Sequence, residues 1–562
     1  MLTRAAAIEA IAGQRFEVVV IGGGITGAGV ALDAASRGYS VALVERGDYA
    51  IGTSSRSSKM IHGGLRYLQN LDLGLVREAL LERQLMVQLA PHLVYPTPFL
   101  IPSFGDGRRD RKVGAGLNMY DVMATTRVGR SRREMRSSRE GEDFSWSPDR
   151  HRTVDREELL EMVPALEPRD PNDAYLFYDC QTDDVRLVLT ILGEAERFGA
   201  VMLNGAEVTE VLSADGRASG VAVVEAESGE RFEVEAENVV NATGVFADRI
   251  RPEEVVEEED VPRIKPSRGT HLLIDRADLS TGSAACIVPA GEGRAIFALP
   301  WYGRTLVGTT DNDYEGDIEH PHPGGEDVEY LLDAVNAFFG VELSRADLVG
   351  AYAGVRPLIA TGDPKKSVDI SRRAELYETS SGMLTITGGK LTTWRRMAKQ
   401  TVDRLVEREA REAPCHTAEI PLGMTARAED LEAPEGVGEA SIAQLAFRYG
   451  HAARNVLKLA REDPGLAAPI VEGRPDLLAE AVVAARLEQA RTVADVLLRR
   501  TRLGLLAAPQ LRGPDSVQAV ADAMGDELGW SRRARREAAR AWPAAAAEAG
   551  IDPAGSSPDG AG

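Results

Sequence analysis

Residues 16–45 read FEVVVIGGGITGAGVALDAASRGYSVALVE, and this stretch decides the fold. Phe16 to Ile21 is an apolar, β-branched run of strand length. GGGITGAG follows at once and places a GxGxxG at Gly22, Gly24 and Gly27. Apolar residues at helical spacing continue from Ile25 to Arg37 and stop at Gly38, and a second strand, Tyr39 to Val44, ends on Glu45. Strand, glycine turn, helix and strand make a dinucleotide-binding βαβ unit. The first glycine permits the tight turn, the second lets backbone approach a pyrophosphate, and the third lets the helix pack on the sheet. The helix N-terminus turns N–H donors and partial positive charge toward that pyrophosphate. Glu45 stands where a carboxylate accepts hydrogen bonds from an adenosine ribose. The expectation is an α/β, Rossmann-like domain holding an ADP-containing cofactor.

The rest of the 562-residue chain has room for two or three domains. Its formal net charge of −22 argues against general nucleic-acid binding, and it requires a locally cationic pocket for any anionic substrate. Cys180, Cys286 and Cys415 lie far apart with no CxxC, so neither a disulfide framework nor a cysteine-ligated metal is expected, and no metal site is predicted. No run approaches the roughly 18 apolar residues of a membrane span. Residues 1–15 lack a signal-peptide pattern, which favours a cytoplasmic location.

Directly after the βαβ unit comes GDYAIGTSSRSSKMIHGGLRYLQ, residues 47–69. A nicotinamide enzyme has no need of it. In a flavoprotein the chain must run on from the ribose toward the isoalloxazine, and Thr53, Ser54, Ser55, Ser57 and Ser58 supply hydroxyl donors along that path, with Lys59 and His62 beyond them. ENVVNATG (237–244) reads as a buried strand ending in a small-residue turn at Thr243 and Gly244. Met383 to Ile386 leads into TGGKLTTWR (387–395), where Gly388 and Gly389 open a helix near Lys390 and Leu391. That helix start suits the partial negative charge of a reduced flavin, and Lys390 adds a full positive charge. FAD is therefore the expected cofactor.

Together, IGGGITGAG, TSSRSSKMIHGGLRYL, NATG, GTTD (308–311), GVRPL (354–358) and GGKLTTWR resemble the FAD-dependent glycerol-3-phosphate dehydrogenases, in order and at compatible spacing. The resemblance spans about residues 15–410, and YGHAARNVL and ADVLLRRTRLGL are similar to that family's C-terminal cap. It implies oxidation of sn-glycerol 3-phosphate to dihydroxyacetone phosphate on FAD, with electrons passed to a membrane quinone or, in an oxidase branch, to dioxygen. No cysteine follows Cys415, so the resemblance favours the quinone-linked, single-subunit type. It implies a fold like that of the D-amino acid and glycine oxidases: a discontinuous FAD domain (15–84, 181–250, 350–412), an inserted mixed-sheet substrate domain (85–180, 251–349) and a helical C-terminal cap (425–545). The tail, 546–562, reads as disordered. Val208 falls where related folds make backbone contacts to the adenine. A homodimer is compatible with the resemblance, as is peripheral attachment to the inner face of the cell membrane.

A glycerol phosphate dianion needs cations gathered from distant segments: Arg66 and His62 from HGGLRYL, His271 from SRGTHLLI, Arg356 from GVRP, and Lys390. Arg356 precedes Pro357, which holds it extended, and its planar fork suits phosphate or hydroxyl oxygens. His271 is the first choice for the base that takes the hydroxyl proton. Between Arg108 and Arg139 ten basic residues face three acids, a segment suited to anionic lipid headgroups. The residues leave open an oxidase or dehydrogenase of another small hydroxy or amino acid, and a flavoprotein without catalysis.

Overall fold

The structure, a computed structural model, describes residues 3–65, 72–105, 110–125, 150–250, 263–291, 293–360 and 374–551. Two sheets organise it. The first runs Ala374–Glu378, Leu384–Gly388, Arg231–Asn241, Phe16–Ile21, Val41–Val44, Val201–Leu203, with the hairpin Ala206–Ala214 and Arg217–Glu225 attached to Arg231–Asn241. Phe16–Ile21 pairs in parallel with both its neighbours, Val18 opposite Val41 on one side and opposite Asn238 on the other. Parallel strands buried on both faces explain the unbroken apolar run VVVI. Helices Ile25–Ser36, Asp184–Arg197 and Trp394–Arg408 cover one face, around a fully buried Trp394. The N-terminal helix Arg4–Gly13 and the hairpin close the other.

Among the described residues the second sheet has ten strands, including Met60–Ile61, Tyr95–Phe104, Pro171–Gln181, Arg263–Asp275, Ala295–Trp301, Arg304–Gly308 and Leu348–Ala360. Two strands join this sheet rather than the first. Leu348–Ala360, expected to open the third FAD segment, pairs along its length with Arg263–Asp275 in the substrate sheet. Met60–Ile61, expected in the first FAD segment, pairs with Gln181 and Cys180 in that same sheet. Short local patterns identify strands but not the sheet they join, because pairing is set by partners far away in sequence. Helix Gly325–Phe339 packs on one face of this sheet, and the C-terminal helices on the other.

The C-terminal region is helical, with Glu439–Tyr449, Ala453–Glu462, Leu478–Leu487 and Gln518–Leu528 among its elements. Its last helix, Arg532–Ala549, ends on Gly550 with a left-handed φ of 63°, and Ile551 O accepts from Ala351 N at 2.9 Å. The helix thus runs into the start of the stretch expected to be a disordered tail. The alanine run carries the helix on, and the glycine caps it. Residues 552–562 lie outside the described residues.

Candidate active site

The glycine turn is built as its sequence requires. Gly22 has φ 107°, and a side chain there would press on the Ala242 carbonyl, while a Cβ on Gly27 would stand 1.9 Å from Gly22 O. Gly24 caps the helix without a side chain, so the helix start lies open apart from Ile25 N, which donates to Ser54 Oγ at 2.9 Å. Glu45 accepts from Gly23 N at 2.7 Å and Gly47 N at 2.9 Å, bracing the turn with both oxygens. Burial pushes its carboxyl above the ordinary range, against those backbone bonds.

This turn lines a cavity of about 720 Å³, within the range of roughly 300–1,000 Å³ typical of ligand sites. Gly22, Gly24, Glu45, Thr53, Ser54, Ser58, His62, Val208, Thr243, Gly244, Gly388, Gly389, Lys390 and Leu391 all contribute to its wall, as do His271 and Arg356. Three residues expected to touch the cofactor do not line it. Gly27 packs helix on strand, and the Ser55 hydroxyl turns back to Ile51 O and Gly52 O. Lys59 is fully buried, with Nζ on Asp184 Oδ2 at 2.7 Å. A buried ammonium requires a carboxylate, and that carboxylate lies far along the chain. Arg66 and most of the basic interval 108–139 lie outside the described residues, which there retain only 110–125.

The register of two strands brings the substrate side chains together. His271 lies opposite Tyr352, Gly269 opposite Gly354 and Ser267 opposite Arg356, so these three pairs occupy one face of the sheet. At Gly354 a Cβ would stand 2.5 Å from the backbone Arg56 O, and at Gly269 one would stand 2.5 Å from Arg356 Nη2, which would have to move aside. Arg356 donates to Asp311 Oδ1 at 3.3 Å and to Thr309 Oγ1 at 3.2 Å, and it still faces the cavity. It is thus both an ion-pair partner and a wall of the site.

His271 Nε2 meets Ser58 Oγ at 2.8 Å and its ring stacks on Tyr352 with centroids 4.7 Å apart. Its buried Nδ1 has no hydrogen-bond partner among the described residues. Burial, and then Lys59 and Arg356, hold its proton affinity well below the usual imidazole value. This corrects the expectation of a base already poised near working pH. His62 is likewise lowered to about 4, by burial and then by Lys390 and Arg83 against the pull of Asp179. Both rings are neutral at pH 7.

Sequence reasoning missed a further group on the wall. Arg46 and Arg249 both pair with Glu319, at 3.2 Å for Arg46, and both lie over the Phe246 ring. Nothing in their local sequence marks them, although Arg46 directly follows the ribose-seeking acid. Among the described residues no three His, Cys, Asp or Glu side chains gather as a metal ion would need.

A glycine cradle that tolerates no side chain, an open helix start and a buried acid fit the pyrophosphate and ribose of FAD, the cofactor of a class of two-domain oxidoreductases. Residues 17–404 match the family described as FAD dependent oxidoreductase, and residues 383–535 match the C-terminal domain of alpha-glycerophosphate oxidase. Glycerol-3-phosphate dehydrogenase 2 of Mycobacterium bovis is 38% identical over 94% of this chain and 87% of its own length. The mitochondrial glycerol-3-phosphate dehydrogenase of Arabidopsis thaliana is 33% identical over 95% and 86%. The crystal structure of the glycerol-3-phosphate dehydrogenase from Bacillus halodurans complexed with FAD matches at a TM-score of 0.73 and 29% identity, covering 97% of each chain. The chain belongs to the FAD-dependent oxidoreductases and, within them, to the glycerol-3-phosphate dehydrogenases.

Proposed function

We propose that this chain oxidises sn-glycerol 3-phosphate to dihydroxyacetone phosphate and passes the electrons to a quinone. The observation that carries this reading is the convergence of the cations Arg356 and Lys390, beside the neutral rings of His271 and His62, on the cavity that the dinucleotide turn also lines, in a chain of net charge −22. FAD, when bound, supplies the acceptor for the hydride that leaves the secondary carbinol.

The chain's own side chains do the rest. The Arg356 fork, held by Asp311 and Thr309, orients phosphate or hydroxyl oxygens. His271, held through Nε2 at Ser58 Oγ on the cavity wall, is the side chain that takes the hydroxyl proton. A neutral, depressed imidazole is a weak base, but a phosphate dianion beside it favours the protonated form and raises its proton affinity. Substrate binding thereby readies the base. Phe297, edge-on to His62 at 6.3 Å, and the stacked Tyr352 back the two imidazole rings with aromatic surface.

The quinone reading fits the dehydrogenase names of the relatives and the excess of basic residues between 108 and 139, which suits docking on anionic lipid. Among the described residues no helix is long and apolar enough to cross a membrane.

Anaerobic titration of the yellow protein tests the reading. Glycerol 3-phosphate should bleach the bound flavin, while glycine and lactate leave it oxidised. A flavin that stays yellow with glycerol 3-phosphate, or bleaches with an amino acid instead, overturns it. Reoxidation of the bleached protein should be faster with a soluble quinone than with dioxygen.

A further inference from the structure

Beneath the loop 53–58, off the cavity, two cations share one carboxylate. Lys59 donates from Nζ to Asp184 Oδ2 at 2.7 Å and to Ser55 O at 2.8 Å. From the C-terminal region, buried Arg502 donates from Nη2 to Asp184 Oδ1 and to Ser55 O, both at 3.0 Å. A short path leads from this knot to His271. Asp184 Oδ2 accepts from Ser57 Oγ at 2.7 Å, and Ser57 O accepts from the Tyr352 hydroxyl at 2.7 Å. The Tyr352 ring stacks on His271 with planes 12° apart, and Lys59 Nζ stands 4.6 Å from the centre of the Tyr352 ring. Ser58, next in the chain to Lys59, holds His271 Nε2.

We propose that Lys59, anchored by Asp184 and Arg502, is a positioning residue that keeps His271 neutral and correctly oriented by fixing a positive charge beside the Tyr352 ring. A nearby cation disfavours the imidazolium, and Lys59 Nζ and the His271 ring both pack against the Tyr352 ring. The charged groups that enter this balance are Asp184, Asp183 and Arg502 around Lys59, and Lys59 and Arg356 around His271. Burial lowers Lys59 to about 8 against the attraction of Asp184, with Arg502 pushing the same way as burial. The charge beside Tyr352 is therefore present at neutral pH and lost as the pH rises through about 8. Of the reading above, the inference uses only the catalytic role of His271; the charge coupling stands without it.

The test follows the ring itself, in FAD-loaded protein carrying ¹³Cε1-labelled histidine. The chain has eight histidines, and His271→Asn identifies the signal by its disappearance. In the native protein the His271 signal should show an inflection near pH 8, where Lys59 loses its proton while the imidazole is already neutral. In Lys59→Met, which keeps the stem's volume and leaves Asp184 to Arg502, that inflection should vanish and the protonation midpoint of His271 should rise. An unchanged midpoint in a flavin-loaded Lys59→Met protein overturns the proposal. Should that variant fail to load flavin, the native titration decides, and a flat His271 signal across the Lys59 transition overturns it equally. Normal turnover in His271→Asn would sink the catalytic reading alone, since the titration still judges the coupling.

Discussion

His271 carries a basicity set by its neighbours rather than by its own chemistry. Because burial, Lys59 and Arg356 depress it, the resting ring stays neutral well into acid. If His271 is the base, as proposed, the bound dianion should move its midpoint upward, and kcat should fall on the acid side as the imidazole gains a proton and ceases to accept one. His271→Asn should lower kcat by about 10²–10⁴ and abolish that acid limb; a limb that persists in the variant would assign it to another group. Arg356→Ala should retain flavin and lose roughly one to two decades in rate, the worth of one charge-assisted hydrogen bond of about 1.5–3 kcal/mol. Steady-state kinetics beside a flavin absorbance spectrum separates the two effects. The sequence singles out both residues because each follows a recognisable local pattern. It misassigns Lys59 for the same reason: a serine-rich loop reads as cofactor contact when the Asp184 that claims the lysine is invisible from the loop.

At the level of the element, two glycines do work that no side chain can. The helix Ile25–Ser36 reaches its strand only because Gly27 has no Cβ, and Gly27→Ala should yield protein with a low flavin-to-polypeptide absorbance ratio. Gly269→Ala should act differently, since its Cβ would displace the Arg356 guanidinium and leave the dinucleotide turn intact. Flavin content should stay native while kcat/KM for glycerol 3-phosphate falls in the same direction as in Arg356→Ala, because the displaced fork no longer meets the oxygens it orients. The first glycine is legible in GxGxxG. The second is not, because its need arises from the pairing of Arg263–Asp275 with Leu348–Ala360, a register that becomes visible only when both strands are placed. For the same reason sequence alone puts Leu348–Ala360 in the wrong sheet.

Across the whole molecule, the C-terminal helices are bound to the FAD domain through buried charge. Asp48, three residues beyond Glu45, receives Arg499 at 2.5 Å and Arg500 at 2.8 Å. Burial alone would raise its carboxyl, but Arg500 and Arg499 hold it at about 2. Its stabilisation is full above the unfolded-chain value near 4 and is lost as the pH falls from there toward about 2. Asp48→Asn removes the carboxylate that two buried guanidiniums share, leaving Arg499 to Asp495 and Arg500 to Glu488, and should destabilise the protein at neutral pH by less than the roughly 3–5 kcal/mol of a buried charge left unpaired. Its urea midpoint should also vary less than the native one between those two pH values. The region 425–545 is legible as helical but offers no sign of this role, since the arginines of RRTR find their acids only after the chain has folded back.

The walls of the flavin cavity are drawn from Ile21 through Met397. A ribosome must therefore release most of the polypeptide before any vitamin-derived ligand can be captured, and a nascent fragment exposes an unfinished sheet in the meantime. Such non-local assembly is slow and prone to aggregation. Riboflavin supply during expression should accordingly govern the yield of soluble enzyme, more than any later addition of the cofactor.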